Sequence, residues 1–557
     1  MTRKQSGLFV ITRNWFIHPG KILHVFDRRP YIPAILIGMT SILAGLAFAG
    51  LHNMCWIGDE AFYYLLAENL ATSGAYRWIN GVETGYPFPL YPLVMAGWMK
   101  IFGPEFSTVQ LQNIIIGAAI CVTTYFLGRR IFGTRIGILA GFLVAIHPET
   151  THYTIMLLSD PLAATLNILA LIFLASYDVK SKGRTDTLIL LASGVCFGLS
   201  ILAHLRSVFI AATILFVYLV MGRHKIPIRS LLLVISVSLL ISGAWMARNT
   251  LRWGSPVGGD RVPRLQEEEI KASQGGYFGL GTILKHSIFA LPTKTNRAWF
   301  IYRIYRIVVQ LNPILVALSV IPLLTARVTR EPLIVIFYAI PLVIFTLFAT
   351  WSTSAIYRYL YIAIPFISIL SSKALADIAD RIPTSQRNLE MSSSAKLAIT
   401  ALVMLTVFSL VVAHGSLDQY VFKNEELRGP SFIEAADWIE KNTKPTSRIL
   451  CGEALWTIAP LVKRTYIRGA TSNMSRNLLA NPDYIVLDVH SLYIRQSGYD
   501  LLEEIHTTGQ KETETPQSFL DYSPRRGLWE IEEPQCVVKV FQDTAPVDIL
   551  IYKPHKP

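Results

Sequence analysis

The sequence predicts a polytopic α-helical membrane protein of about eleven spans with a small α/β domain at its C-terminal end, and three observations carry that prediction. The chain of 557 residues is 52% hydrophobic and only 16% charged, with a mean hydropathy of +0.41, whereas about a quarter of the residues of a soluble domain are charged. Runs such as IPAILIGMTSILAGLAFAGL, LLLVISVSLLISGAW and LIVIFYAIPLVIFTLFAT approach or reach the ~20 apolar residues that cross a bilayer. The short connections between such runs alternate between rich and poor in Lys and Arg, as the positive-inside rule requires.

The spans fall near residues 31–51, 107–127, 135–147, 160–177, 187–205, 207–222, 230–247, 306–326, 332–350, 356–374 and 396–414. The first has no small-residue cleavage site before or after it and reads as a retained span, not a signal peptide. Basic connections are the tail 1–30, GRRIFGTR at 128–135, DVKSKGR at 178–184, GRHKIPIR at 222–229, ARVTR at 326–330 and the segment 371–396. These are assigned to the cytoplasm, which puts the N-terminus inside and the residues after His414 outside. HPETTHYTIMLLSD at 147–160 has no Lys or Arg, and WSTSAIYR at 351–358 has only Arg358. The net charge of +13 therefore marks membrane topology and not a nucleic-acid surface.

The chain divides into a tail (1–30), a membrane domain (31–414) with large outer segments at 52–106 and 248–300, and an outer domain (415–557). In the first outer segment EAFYYLLAENLATSG has helical period and a C-capping Gly74, which predicts an amphipathic helix lying in the interface. In the outer domain SFIEAADWIEKNT is helical in pattern, while RILCG, DYIVLDVH, CVVKVF and DILIY are short strand-like runs. Cys121 and Cys196 lie in apolar runs as packed hydrophobes. Cys451 and Cys536 are a pairing option that sequence alone leaves open.

Candidate site residues gather on the outer side. Asp59 follows the first span closely, where a carboxylate is costly unless it is used or paired. It suits a general base toward an acceptor hydroxyl or a cation ligand, and the alternative is an acid favouring a helix N-terminus. Glu60 points elsewhere on the same helix and reads as structural or accessory. Asp160, in SDP before a span, reads as an N-cap with Pro161 at the first helical position, which fixes its carboxylate at the surface. His147, Glu149 and His152 share its loop without metal-ligand spacing. Arg206, Arg248 and Arg358 sit at outer span ends, as headgroup partners or as a phosphate clamp suited to bidentate guanidinium geometry. Glu83 and Tyr86 are accessory or acceptor-side candidates. Tyr357, Tyr359 and Tyr361 read as aromatic-belt residues. A P-loop, a GxGxxG turn, an HExxH motif and paired CxxC are absent from the sequence. An enzyme on that side of a membrane then needs a lipid-linked donor.

The ordered set GDEAFYY, SGAY, PFPLYP, IFG, RRIFGTR, HP followed by SDP, LAHLR, WMARN with WGSP, and YRYLYIAIP resembles the GT-C membrane glycosyltransferases. Within these it is similar to the superfamily of dolichyl-phosphate-mannose protein mannosyltransferases and aminoarabinose lipid A transferases. The similarity covers roughly residues 55–375. It implies a GT-C fold and a polyprenyl-phosphate sugar donor. It further implies Asp59 as catalytic acid residue, Asp160 as second-loop acid, and Arg248 and Arg358 near the donor phosphate. The lipid A transferases carry a YFEKPP motif with a metal-contacting Glu; here the region reads ETGYPFPLY, with Glu83 nearby but out of register. A divalent cation thus stays open. The expected reaction is inverting transfer of a sugar to a hydroxyl of a lipid, glycan or protein acceptor at the outer face of a bacterial inner membrane. A transporter or flippase of a lipid-linked glycan is the alternative, although neither an internal repeat nor an acid deep within a span is seen.

Overall fold

The computed structural model describes residues 19–50, 58–77, 83–177, 184–221, 226–257, 308–309, 311–324, 335–341, 361–381, 429–451, 458–468, 483–488, 536–540 and 547–552. The helices in order are α1 (Pro19–Arg28), α2 (Tyr31–Ala49), α3 (Gly58–Ser73), α4 (Leu90–Phe102), α5 (Phe106–Phe132), α6 (Thr134–Ala145) and α7 (Pro148–Ile155). They continue with α8 (Asp160–Ser176), α9 (Arg184–Ala203), α10 (Ser207–Met221), α11 (Ile228–Trp253), α12 (Pro313–Leu324), α13 (Ile364–Arg381) and α14 (Gly429–Asn442). Among the described residues five helices are long and apolar enough to cross a membrane, or six if α7 and α8, bent by 118° at their junction, form one broken span. The expected span 396–414, most of 332–350 and the start of 356–374 lie outside the described residues.

α5 is the hub, packing on α2, α6, α7 and α8, with α9 held between α8 and α11. The last contact has a sequence cause in Gly194 and Gly198, one turn apart in ASGVCFG. A Cβ on Gly194 would lie 2.8 Å from Val237 Cβ and 2.9 Å from Val234 O, and one on Gly198 2.8 Å from Ile241 Cβ. Two glycines on one face thus let the backbones of α9 and α11 approach as small residues do between membrane helices.

The expected loop 147–160 is not a loop. His147 caps α7, its Nδ1 accepting from Glu149 N at 3.3 Å, and Pro148 sits at the first position, where a missing N–H costs nothing. α7 then ends in the interior, where its carbonyls need partners. Gln110 Nε2 donates to Ile155 O at 3.0 Å, and Asn113 Nδ2 donates to Tyr153 O and Thr154 O, each at 3.3 Å, and to Met156 O. Two amides of α5 thereby satisfy the break between α7 and α8.

α3 also departs from expectation. It begins and is capped as the sequence predicts, with Gly74 at φ +69° donating to Leu70 O at 3.1 Å. Yet Glu60, Ala61, Phe62, Tyr63, Leu65, Leu66 and Ala67 are all buried, which covers every side of the helix, so α3 is a core element and not an interfacial one. Likewise α11 runs on to Trp253, so the predicted outer segment 248–300 opens with helix.

Three of the basic connections meet in the structure. At one end of the bundle Arg129 Nη2 donates to Asp27 O at 3.1 Å, Thr134 bonds Asp27, and Arg135 pairs with Asp380 at 2.8 Å.

A five-stranded sheet follows in sequence: β1 (Arg448–Cys451), β2 (Thr465–Arg468), β3 (Tyr484–Asp488), β4 (Cys536–Val540) and β5 (Val547–Tyr552), ordered β2-β1-β3-β5-β4. β1 pairs in parallel with β2 and β3, and β5 antiparallel with β3 and β4. α14 packs on this sheet, burying Phe432, Ala435 and Ile439 with Ile449 and Val486. The order closes the Cys451–Cys536 option: β1 and β4 are three strand spacings apart, about 14 Å, whereas a disulfide needs Cα atoms within ~7 Å. Cys451 is a free, buried thiol. Lys463, just before β2, reaches Glu68 of α3 at 2.6 Å and ties the sheet to the bundle.

Candidate functional site

Asp59 stands in the first turn of α3, and the residues that follow it fix where that turn lies. Glu60 is fully buried and its Oε1 accepts from Leu157 N at 2.8 Å, which makes it a structural residue, as its place on the helix suggested. Tyr63, one turn on, shares a 2.7 Å hydrogen bond with Ser159 Oγ. Both bonds grip the bend between α7 and α8, so the helix end carrying Asp59 is fastened to the segment that presents Asp160.

Asp160 is not the N-cap. That position is Ser159, whose side chain makes no capping bond because it is committed to Tyr63. The Asp160 carboxylate, at the first residue of α8, is consequently left for other work: its side chain is only 9% exposed, and Oδ1 lies 3.9 Å from His204 Nε2. Oδ2 is buried and has no hydrogen-bond partner among the described residues. His204 sits in the turn between α9 and α10, where its Nδ1 accepts from Arg206 N at 3.3 Å. With Nδ1 an acceptor, the ring proton belongs on Nε2, the atom that faces Asp160. Sequence reading took LAHLR for its arginine and passed over this histidine. Its signal was a ring between two apolar helices at a predicted outer turn.

Arg248 stands near the C-terminal end of α11, where its guanidinium lies 4.4 Å from the Trp245 ring and 5.0 Å from the Trp253 ring. Two indole faces desolvate and hold the cation, while Nη1 donates to Asn249 Oδ1 at 3.2 Å. Trp245 Nε1 and Asn249 Nδ2 both donate to Gly85 O, at 3.2 Å and 3.1 Å, which lashes the first outer segment to α11. Glu83, two residues earlier, pairs with Arg252 at 2.7 Å. Glu83, Arg248, Leu251 and Arg252 line an open hollow. Tyr86 N donates to Thr84 Oγ1 at 3.1 Å, a local turn.

Tyr76 connects the acid side to the arginine side. Its hydroxyl donates to Pro87 O at 2.5 Å and its ring meets Trp245 edge-on at 5.3 Å. Burial pushes the phenol well above its usual range, the neighbouring Tyr63 pushes the same way and Arg248 opposes. One tyrosine thus lies within electrostatic reach of both the Tyr63–Ser159 bond and the clamped arginine. Arg206 is half-buried in the His204 turn. Arg358 lies outside the described residues. Tyr361 is no belt residue: it is 1% exposed and stacks edge-on against Tyr153 at 5.7 Å. Among the described residues no three His, Cys, Asp or Glu gather as metal ligands.

Residues 86–246 match the family model described as dolichyl-phosphate-mannose-protein mannosyltransferase. Among solved structures, ArnT from Cupriavidus metallidurans bound to undecaprenyl phosphate aligns over 93% of this chain and 97% of its own, at a TM-score of 0.58 and 14% identity. The archaeal oligosaccharyltransferase AglB from Archaeoglobus fulgidus, in complex with an inhibitory peptide and a dolichol-phosphate, aligns over 84% of this chain and 70% of its own, at 0.60 and 14%. A protein of Aquifex aeolicus (strain VF5) described as uncharacterized is 32% identical over 96 residues, 17% of this chain and 19% of that relative's length. The chain thus spans about a fifth of the curated relative it matches. The structural likenesses are of fold, and with the family match they bear out the resemblance carried by the ordered motifs.

Proposed function

We propose that this chain is a membrane glycosyltransferase of about eleven spans that moves one sugar from a polyprenyl phosphate to an acceptor hydroxyl, with inversion at the anomeric carbon. Its N-terminus lies in the cytoplasm of a bacterial inner membrane, and the site and the C-terminal sheet lie outside. The observation that carries the reading is that two acids from different outer segments are fastened at one end of the bundle by buried hydrogen bonds from Glu60 and Tyr63. An arginine held between two indoles stands across Tyr76 from them. The family match and the lipid phosphates named in the two solved relatives supply the donor class.

The acceptor oxygen attacks the anomeric carbon and its proton passes to Asp59, which acts as general base. The bond from that carbon to the phosphate oxygen breaks, and its electron pair leaves on the lipid phosphate. Arg248, with Arg206 and Arg358, stabilises that developing charge. One such preorganised donor is worth roughly 10²–10³ in rate, and the indole clamp means Arg248 needs no reordering as the charge forms. Asp160 positions the donor. If a divalent cation takes part, Asp59 and Asp160 are the carboxylates that would hold it. The acceptor is a lipid, glycan or protein hydroxyl, with Glu83 and Tyr86 on the acceptor side.

The test incubates purified full-length protein with radiolabelled polyprenyl-phosphate sugars and a membrane extract. Label passing to a new product with release of polyprenyl phosphate supports transfer. Donors that cross a vesicle membrane chemically unchanged, without any such product, would replace it with transport.

A further inference from the structure

We propose that Glu83, through its ion pair with Arg252, sets the net charge of the hollow beside Arg248 and so lets the spent lipid phosphate leave, a reading that rests on the glycosyltransferase function above. Glu83, Arg248, Leu251 and Arg252 line one hollow of about 550 Å³, a size within the range of small-ligand clefts. Arg248 and Arg252 stand four residues apart on α11, which puts both on one face of that helix. Glu83 Oε2 lies 2.7 Å from Arg252 Nη2, whereas among the described residues Arg248 meets two indoles and an amide but no carboxylate. Two guanidiniums and one carboxylate leave the hollow with a single positive charge in excess.

A sugar joined to a lipid through one phosphate is a phosphodiester with one negative charge, and transfer turns it into a monoester of about −1.5 to −2. A cationic site therefore holds the product more tightly than the donor, because Coulomb energy scales with ligand charge. Glu83 counters that gain. Its carboxylate repels the monoester about twice as strongly as the diester, a repulsive element directed at the ligand that must go. The hollow is then where the acceptor side, with Glu83, meets the phosphate side, with Arg248. Leu251 lines it while 90% exposed, an apolar wall that suits a phosphate carried on a lipid over a free one. The carboxylate is not needed to hold its own segment. The Glu83 backbone forms a bridge with Arg77, and Gly85 O accepts from Trp245 Nε1 and Asn249 Nδ2. The pair itself is largely in solvent, with Arg252 61% and Glu83 38% exposed, and pairs so placed add little stability.

The experiment compares wild type, Glu83→Gln and Arg252→Gln, as full-length protein, for binding of three lipids at low salt. These are polyprenyl phosphate, a polyprenyl-phosphate hexose and uncharged polyprenol. Glu83→Gln should bind the bare phosphate about tenfold tighter and the hexose-bearing diester about threefold tighter, since the free-energy gain doubles with the ligand's charge. Arg252→Gln should shift both the other way in the same proportion, and polyprenol should move in neither variant. The shifts should shrink in 1 M salt, where charges are screened beyond about 3 Å. Opposite signs from the two halves of one ion pair are what a merely structural tie does not give. Weakening in both variants, equal shifts for the two phosphates, no shift in either, or shifts that survive 1 M salt would overturn the charge role and leave the pair as a tie between Glu83 and α11. The two readings fail separately, because binding needs no turnover: a wild-type protein that transfers no sugar sinks the glycosyltransferase reading, before any variant is compared.

Discussion

At the scale of single residues, Glu60 and Asp59 show how two adjacent acids divide their duties. The Glu60 carboxylate is spent on Leu157 N, and that bond is what keeps Asp59 against the Asp160 segment. Glu60→Ala should therefore destabilise the protein by about 1–3 kcal/mol, the cost of a stranded buried N–H, while Glu60→Gln, which keeps an acceptor oxygen, should cost less than half of that; thermal unfolding in detergent measures both. Of the proposed site, the charged groups are the part the sequence makes visible, because acids and arginines are conspicuous beside apolar spans. It did not disclose His204 or Tyr361. A lone histidine beside an arginine and a third tyrosine in YRYLY carry no local signal; only packing shows that one faces Asp160 and the other is buried.

At the scale of elements, what was legible depended on whether a helix lay within an apolar run read as a span. α2, α5, α8, α9 and α10 begin and end within a few residues of the spans read from hydropathy, and the Gly74 cap was readable from its position after a helical period. α4 and α7, helices of 13 and 8 residues, were missed because they sit in segments read as connections between spans. α7 survives only through Gln110 and Asn113, a tertiary rescue that no local pattern announces. The contact of α9 with α11 offers a direct check. Gly194→Leu places a side chain where even a Cβ meets Val234 O at 2.9 Å, so it should cost about 1–3 kcal/mol. Gly243→Ala, with nothing within 4 Å of its Cβ, should leave the unfolding midpoint within error. Equal effects would mean that the close approach is not what holds these helices.

At the scale of the whole molecule, the contacts of Arg129, Thr134 and Arg135 with Asp27 and Asp380 join three basic connections at one end, which the proposed orientation sets in the cytoplasm, opposite the acids of α3. The ion pair between Lys463 and Glu68 puts the sheet at the acid end. Single cysteines replacing Glu83 or Lys463 should react with a membrane-impermeant maleimide on intact spheroplasts, and a cysteine replacing Arg130 only after lysis. The opposite pattern would invert the orientation and deny the site its outer-face lipid donor.

The most direct measurement follows sugar transfer by Asp59→Asn beside wild type, at matched membrane abundance and with a saturating labelled polyprenyl-phosphate hexose. The amide keeps the size of the side chain and removes its basicity, so transfer should fall by at least ~10²-fold, the low end of what a general base contributes, while binding of polyprenyl phosphate persists. A variant that still transfers sugar at the wild-type rate would contradict the assignment of Asp59 and the mechanism built on it.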